Sequence, residues 1–600
     1  MVPASFDIAA LHEAYRAGVK PAAVVAEVLD RIAMADDPGI FITVLDQAAL
    51  LARAAALPPF DPVTMPLWGI PFAIKDNIDL AGIKTTCACP DFGAVAVQSA
   101  SAVERLIAVG AIPIGKTNLD QFATGLVGVR TPYPVPRNSF DAAIVPGGSS
   151  SGSAVAVARG IVSFALGTDT AGSGRVPAGL NNLVGLKPSL GAIPVHGVVP
   201  ACKSLDCVSI FAVTVADAYA AYMVMAGPDL RDPWSRPVAI GRPVAPPKGL
   251  RIGVPDQKSR QFFGDTLAEE AFDMALADLR GLGYEPSPVD LSPFFEVAAL
   301  LYGGAFVAER YQAIRAFIET QPQALHPVTR AITLGATKFS AADAFGGLYR
   351  LQELAAATAP FWRRIDLLVV PTLPTPPTLA ELNADPIGPN SRLGVYTNFV
   401  NLLNLCALSV PGRFRADGFP AGVTLIAPAG QDALLASLGA PLHSAAGTPL
   451  GATGISQPPL PIWPDRALPG EIEIVVVGAH LSGLALNHEL TAAGGRFLRI
   501  GETRPDYRLY ALPGGPPRRP GLIGVGVGEG HAIAVEVWAL PAAGFGRFVA
   551  AIPAPLGIGT LRLADGTTPK GFLCEAEAVK GAQDISAFGG WRAFIQTLAA

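Results

Sequence analysis

Four short apolar runs, LWGIPFAIKD, AIPIGKT, IVSFALGTDTAG and DLLVVPTLPTPP, end in loops of Gly, Pro or Thr, and they constrain this chain more than any other feature. Each reads as a buried strand. Between them SASAVERLIAVG and SGSAVAVARG read as helices, and residues 6 to 56 carry amphipathic helical periodicity, as in LHEAYRAGVKPAAVVAEVLDRI. This alternation predicts an α/β layered domain with a largely parallel or mixed sheet and its chemistry at the strand ends.

The chain is too long for one ordinary domain at 600 residues. With 50% apolar and 16% charged residues it can fill large cores and leaves little room for disorder. From about 440 to 470 the text becomes HSAAGTPLGATGISQPPLPIWPDRALPGE, rich in Gly, Pro and Ser with no sustained period, and reads as a linker. Beyond it EIEIVVVGAH, RFLRIGE, YRLYALPG, AIAVEVWALP, FGRFVAAIP and TLRLADGTTPKGFLCEA read as short strands of a compact, mainly β domain. The expected division is 1–440, a linker over 441–470, and a second domain over 471–600.

A net charge of −5 with no Lys/Arg run argues against nucleic-acid binding, which needs a concentrated basic face. The opening MVPASFDIAALHEAYRAG lacks the basic start and apolar stretch of a signal peptide. No window offers the roughly 20 apolar residues of a membrane span. Cytoplasmic residence, with no membrane partner, is the expectation. Six cysteines, Cys87, Cys89, Cys202, Cys207, Cys406 and Cys574, are too sparse for a disulfide framework. Cys87 and Cys89 could form half a metal site, but no second Cys/His pair has ligand spacing, so neither metal nor cofactor is expected.

The richest stretch for chemistry is PGGSSSGSAVAVARGIVSFALGTDTAGSGRVPAGLNNLVGLKP, from Pro146 to Pro188. It brings Ser149 and Ser173 to loops flanking one helix–strand unit. A serine hydroxyl needs a base to become a nucleophile. All seven histidines (His12, His196, His326, His443, His480, His488, His531) lie outside these loops. Lys75, after the run GIPFAI, is therefore the better candidate base if burial keeps it neutral. The backbone N–H groups at Thr170, Ala171, Gly172 and Ser173 can face an oxyanion, with glycine allowing close approach. Two decoys fall away. GAIPIGKT, residues 110 to 117, satisfies the phosphate-loop pattern formally, but its interior AIPI is itself a strand. Gly148 to Gly152 fits G-x-S-x-G without the strand that a nucleophile elbow requires before it.

The segments GIPFAIKD, GGSSSGSA and GTDTAGSGRVPAG together resemble the amidase-signature family over roughly residues 5 to 440. The resemblance implies an α/β/α layered domain with a mixed sheet, Ser173 as nucleophile, Ser149 as a bridging serine with a cis peptide, and Lys75 as base. It also implies support of the nucleophile loop by Asp169 and Arg175. Ser151 stands where the family commonly has Gly or Ala.

Substrate choice must come from elsewhere. In ALLYGGAFVAERY, Tyr302 and Arg310 lie eight residues apart, about 80° around a regular helix. If that helix faces the site, the guanidinium can hold a carboxylate and the phenol can add a hydrogen bond; on spacing alone Arg310 could equally pair with a surface carboxylate. ATGLVGVR, LLYGGAFVAERY and VVGAHLSG also resemble the allophanate hydrolase branch of the family. That similarity implies that Tyr302, Arg310 and Gly125 contact a small anionic amide, and that the chain is a homodimer. It further implies a carboxy-terminal γ-glutamylcyclotransferase-like (α+β) domain in which a histidine helps decompose the amidase product. His480 is the first candidate and His488 the second, against a structural role for both; Glu536 is weaker, since an inward carboxylate needs a polar partner. The functional expectation is allophanate cleavage to N-carboxycarbamate and ammonia. The alternatives are another small-molecule amidase and a non-catalytic protein that retains the fold.

Overall fold

The computed structural model describes every residue except 239, 248, 461, 462, 464, 599 and 600. The chain divides into two compact units, Met1–Ile240 with Ile252–Leu460, and Gly241–Arg251 with Pro461–Ala600.

The first unit is organised by an 11-stranded mixed sheet. Strand Pro71–Lys75 lies between two parallel neighbours, Ile112–Thr117 and Phe164–Asp169. All three are buried along their whole length, which is why their apolar runs are continuous rather than alternating. Phe72 and Phe164 stack across the pair at 5.3 Å between ring centroids. The three strands point the same way, so Lys75, Thr117 and Asp169 emerge at one edge of the sheet. From Phe164–Asp169 the sheet continues antiparallel through Cys207–Ala212, Val184–Lys187, Leu405–Pro411, Gly422–Pro428 and Leu367–Pro371.

Helix Ser151–Ala158 is made only of Ser, Gly, Ala and Val and is buried on every side. Its small side chains let backbone approach backbone. Ser153 donates to the Leu166 carbonyl at 2.8 Å and shares a 2.7 Å hydrogen bond with Thr117, so the helix is tied to two of the three parallel strands. Helix Asp432–Ala446 closes the first unit, and the Asn182 amide then donates to the carbonyls of Pro449 at 2.8 Å and Gly451 at 2.9 Å. Residues 441–460, inside the stretch expected to be a linker, thus sit with the first unit. Pro461, Ile462 and Pro464 of that stretch lie outside the described residues.

The second unit holds a five-stranded sheet in the order Arg496–Glu502, Ala534–Pro541, Glu471–Val476, Lys570–Cys574, Leu556–Thr560, and a three-stranded sheet centred on Tyr507–Ala511. Its core gathers Ile474, Val476, Val537, Leu540, Trp538 and Phe497, and includes Val244 from the Gly241–Arg251 strip. One expectation fails. The run FGRFVAAIP, read as a strand, lies in helix Ala542–Ala550 and the turn after it. Gly544 and Phe548, four residues apart, form its buried face, a helical spacing that a short apolar run hides.

Gly152 tests how tightly the small-residue helix is seated. A Cβ there would come within 2.2 Å of the Ile40 carbonyl oxygen and 2.6 Å of the Asn118 nitrogen, both backbone atoms. Gly152→Ala is expected to cost at least the roughly 1–3 kcal/mol typical of overpacking, read as a fall in the denaturation midpoint.

Candidate active site

Lys75 ends its strand fully buried, and its Nζ donates to Ser149 Oγ at 2.7 Å and to Thr168 Oγ1 at 2.8 Å. No carboxylate lies within ion-pair distance of it among the described residues. Burial is the largest influence on Lys75 and lowers its pKa to about 7, against the opposing pull of Asp120, Asp206 and Asp169. Near neutrality a substantial fraction of the amine is uncharged and able to take a proton. Ser149 follows a cis Gly148–Ser149 peptide. When Lys75 is protonated it donates to Ser149 Oγ, and when the amine is neutral the same 2.7 Å contact lets the Ser149 hydroxyl donate to Nζ instead. Ser173 is 2% exposed, in the loop after strand Phe164–Asp169, and its Oγ has no hydrogen-bond partner among the described residues.

The loop carrying Ser173 is held by a buried ion pair. Arg175 Nε donates to Asp169 Oδ2 and Arg175 Nη2 to Asp169 Oδ1, each at 2.9 Å, with both residues fully buried. Burial alone would raise the Asp169 pKa, but the Arg175 charge and hydrogen bonds outweigh it and hold the carboxyl below its usual range. Thr397 Oγ1 donates to the Ala171 carbonyl at 2.6 Å, and the Asn401 amide to the Asp169 carbonyl at 2.8 Å. The amides of Thr170, Ala171 and Ser173 have no acceptor among the described residues. Gly172 departs from the expectation for an oxyanion donor, because its N–H is spent on Asp169 Oδ1 at 2.9 Å. The glycine is required for another reason: at φ +137°, a Cβ would lie 2.4 Å from Thr397 Oγ1.

Several supports carried no signal in the sequence. The Asp120 carboxylate accepts the amides of Gly128 and Arg130, both at 2.9 Å, while its own N–H donates to the Ser149 carbonyl at 3.0 Å. Asp206 takes the Thr170 hydroxyl and the amide of Ala201, the latter at 2.7 Å. Burial pushes its pKa up to about 6.

Tyr302 and Arg310 meet, though not as a regular helix predicts. Helix Ser292–Gly303 ends just after Tyr302, and a new helix, Val307–Ala313, begins before Arg310. The break folds the guanidinium back over the phenol: Arg310 Nη2 donates to Tyr302 Oη at 3.0 Å, and its Cζ stands 5.1 Å from the ring centroid. Nη1 donates to the Ala123 carbonyl at 3.2 Å and to Thr124 Oγ1 at 3.1 Å. Arg310 is only 3% exposed, has no carboxylate at ion-pair distance among the described residues, and keeps a buried Nε with no partner. Gly125 lies beside this cluster, where a Cβ would meet Asp120 Oδ2 at 2.6 Å and Arg130 Nη1 at 3.2 Å.

In the second unit His480 Nε2 hydrogen-bonds Glu489 Oε2 at 2.9 Å, and its ring stacks on Phe572 at 5.0 Å. Burial lowers its pKa despite Glu489, which keeps the imidazole neutral at pH 7. His488 is exposed, with Nδ1 on the Ala485 carbonyl at 3.0 Å. Glu536 has the polar partners an inward carboxylate needs: Oε2 accepts the Ser482 amide and hydroxyl at 2.8 Å each, and Oε1 accepts Arg592 Nη2 at 2.9 Å. It anchors the loop after His480.

Residues 23–436 match the amidase family and residues 472–596 the allophanate hydrolase C-terminal domain. A solved allophanate hydrolase from Kluyveromyces lactis is 40% identical with a TM-score of 0.76, covering 99% of each chain. The urea amidolyase of Saccharomyces cerevisiae is 43% identical over 549 residues, 89% of this chain and 30% of its own length. The chain thus spans about 30% of that relative. A glutamyl-tRNA(Gln) amidotransferase chain from Symbiobacterium thermophilum is 37% identical over 462 residues, 70% of this chain and 92% of its own.

The Asp169–Arg175 pair yields a stability test. Asp169→Asn leaves Arg175 buried and uncompensated, and is expected to cost roughly 3–5 kcal/mol. Chemical denaturation of the purified variant measures it.

Proposed function

This chain belongs to the amidase family, and from that premise we propose that it cleaves allophanate to N-carboxycarbamate and ammonia. The single observation that carries the substrate choice is Arg310, a buried guanidinium with no acidic partner among the described residues and a stranded Nε. A desolvated, uncompensated cation is costly, and a bound carboxylate removes that cost. Tyr302 and Gly125 stand beside it as the other contacts for a small anionic amide.

In this reading neutral Lys75 takes the proton of Ser149 as Ser149 takes that of Ser173, and Ser173 Oγ bonds to the amide carbon. The oxyanion is met by the amides of Thr170, Ala171 and Ser173. As the C–N bond breaks, the proton on Lys75 returns through Ser149 to the departing nitrogen, which leaves as ammonia. Water then attacks the acyl ester by the same relay and frees Ser173. Asp169 and Arg175 keep the loop in register. His480, neutral and fixed by Glu489, is the group in the second unit suited to move a proton during breakdown of the carboxylated product. The resemblance to allophanate hydrolases further suggests a homodimer through the first unit, and cytoplasmic residence. Among the described residues no helix is long and apolar enough to cross a membrane.

Ser173→Ala and Lys75→Ala are each expected to lower amide hydrolysis by about 10⁴-fold or more; near-normal ammonia release by either folded variant sinks the mechanism. Because the neutral amine is the active form and its pKa is about 7, kcat/KM should fall as pH drops below neutrality and level off above it. A profile flat from pH 5 to 8 contradicts the assignment of the base.

Arg310→Ala should weaken hydrolysis of allophanate by roughly 2–5 kcal/mol and spare an uncharged amide of similar size, with Tyr302→Phe acting in the same direction more mildly. A substrate panel of allophanate, malonamate and simple aliphatic amides, read as ammonia per molecule consumed, checks this. Equal losses on charged and neutral substrates would falsify the carboxylate contact. His480→Ala should leave the first ammonia release intact and slow carbon dioxide formation.

A further inference from the structure

Several arginines of the second unit are spoken for. Arg496 pairs with Glu471, Arg499 with Glu473, Arg562 with Asp506 and Arg592 with Glu536. Arg519 differs. Its side chain has no hydrogen bond or ion pair among the described residues, and its Nε is shielded from water with no partner.

The local sequence explains how it is held. In YRLYALPGGPPRRPGLIG, strand Tyr507–Ala511 pairs with Pro520–Gly524, the last pair being Ala511 with Pro520. The Leu512 amide donates to the Arg519 carbonyl at 3.1 Å, extending the hairpin by one more bond. The intervening GGPP cannot continue the ladder, since its prolines have no N–H. Gly521 follows closely because a Cβ there would strike Cys574 Sγ at 2.9 Å. Arg519 is therefore placed by strand register rather than left on a free tip.

It lines a cavity of about 450 Å³ whose other walls include Leu512, Pro517, Pro555 and Leu556 and the backbone of Gly514 and Gly515. No Asp or Glu lines that cavity. Its volume falls in the range of roughly 300–1,000 Å³ usual for small-molecule sites. Gly478, two residues before His480, packs on the proline after Arg519, since a Cβ there would lie 2.4 Å from Pro520 Cδ. Arg519 lies close enough to His480 for its charge to lower the imidazole's pKa further.

We propose that this cavity is a binding site for a small carboxylate, whose charge pairs with the Arg519 guanidinium while the proline and leucine walls cover its carbon skeleton. A planar guanidinium with free donors binds a carboxylate through two parallel hydrogen bonds, and low-dielectric walls strengthen the pair. The site itself follows from the second unit alone. Only the identity of its natural ligand, the carboxylated product of amide cleavage, rests on the reading above.

The test uses malonate, a stable three-carbon dicarboxylate, titrated calorimetrically into the full chain carrying Arg310→Ala, which removes the buried guanidinium proposed above to hold a substrate carboxylate. Binding at one site is expected. Adding Arg519→Gln should weaken it by about tenfold or more, and Arg519→Lys, which keeps charge but not the fork, by less. Malonamide, of the same shape without charge, should not bind. Arg519 is partly exposed and holds no partner, so both substitutions should leave the thermal midpoint in place. No malonate binding to the Arg310→Ala chain, or binding unchanged by Arg519→Gln, overturns the proposal. Inorganic phosphate binding as tightly as malonate overturns the carboxylate assignment in favour of a general anion site. Failure of these arms leaves allophanate hydrolysis by the unaltered chain untouched, whereas absence of that hydrolysis sinks the functional reading and not this site.

Discussion

Everything at the first site depends on keeping Lys75 out of water without giving it a counter-ion. Three carboxylates act on it, Asp120, Asp206 and Asp169, and any of them in direct contact would fix the proton on the amine. Each is occupied elsewhere. Asp169 belongs to Arg175, Asp120 to the amides of Gly128 and Arg130, and Asp206 to Thr170 and the amide of Ala201. Lys75 touches only hydroxyls. The same bonds that set its basicity also shape the loops, so basicity and geometry are not separately adjustable. Asp120, for instance, both restrains the segment from Gly128 to Arg130 and receives Ser149 through its own amide.

Arg310 is the electrostatic complement of that arrangement. Lys75 is a cation made easy to neutralise by solvent exclusion, whereas a guanidinium cannot shed its proton and must find an anion. Thr124, Ala123 and Tyr302 supply dipoles but no charge. Two buried basic groups therefore solve the same desolvation problem in opposite ways, one by titrating and one by waiting for a ligand.

The three parallel strands and the small-residue helix were legible because their composition is forced: a strand buried on both faces must be continuously apolar, and a helix threaded between strands and loops must be small. The residues of the Lys75 site were legible because each lies in a short motif. Asn401 was not. It reaches Asp169 across 232 residues of chain, and nothing in NFVNLL marks it. Asp206 and Thr397 are likewise ordinary in their local text. Tyr302 and Arg310 do meet, but not by the expected geometry, because Gly303 and Gly304 permit a break that an ideal helical wheel ignores. In the second unit FGRFVAAIP misled because a nine-residue apolar segment fits either period, and only the Gly544–Phe548 face decides.

The strip Gly241–Arg251 makes the second unit discontinuous in sequence. A protease that nicks the chain after Leu460 does not free a complete module, because Val244, part of that module's core, stays covalently on the other fragment. Anyone transplanting the second unit into another enzyme as one cassette would carry over a core with a plug missing. Its portable form is two pieces of chain, and a host must offer an internal loop as well as a terminus to receive them.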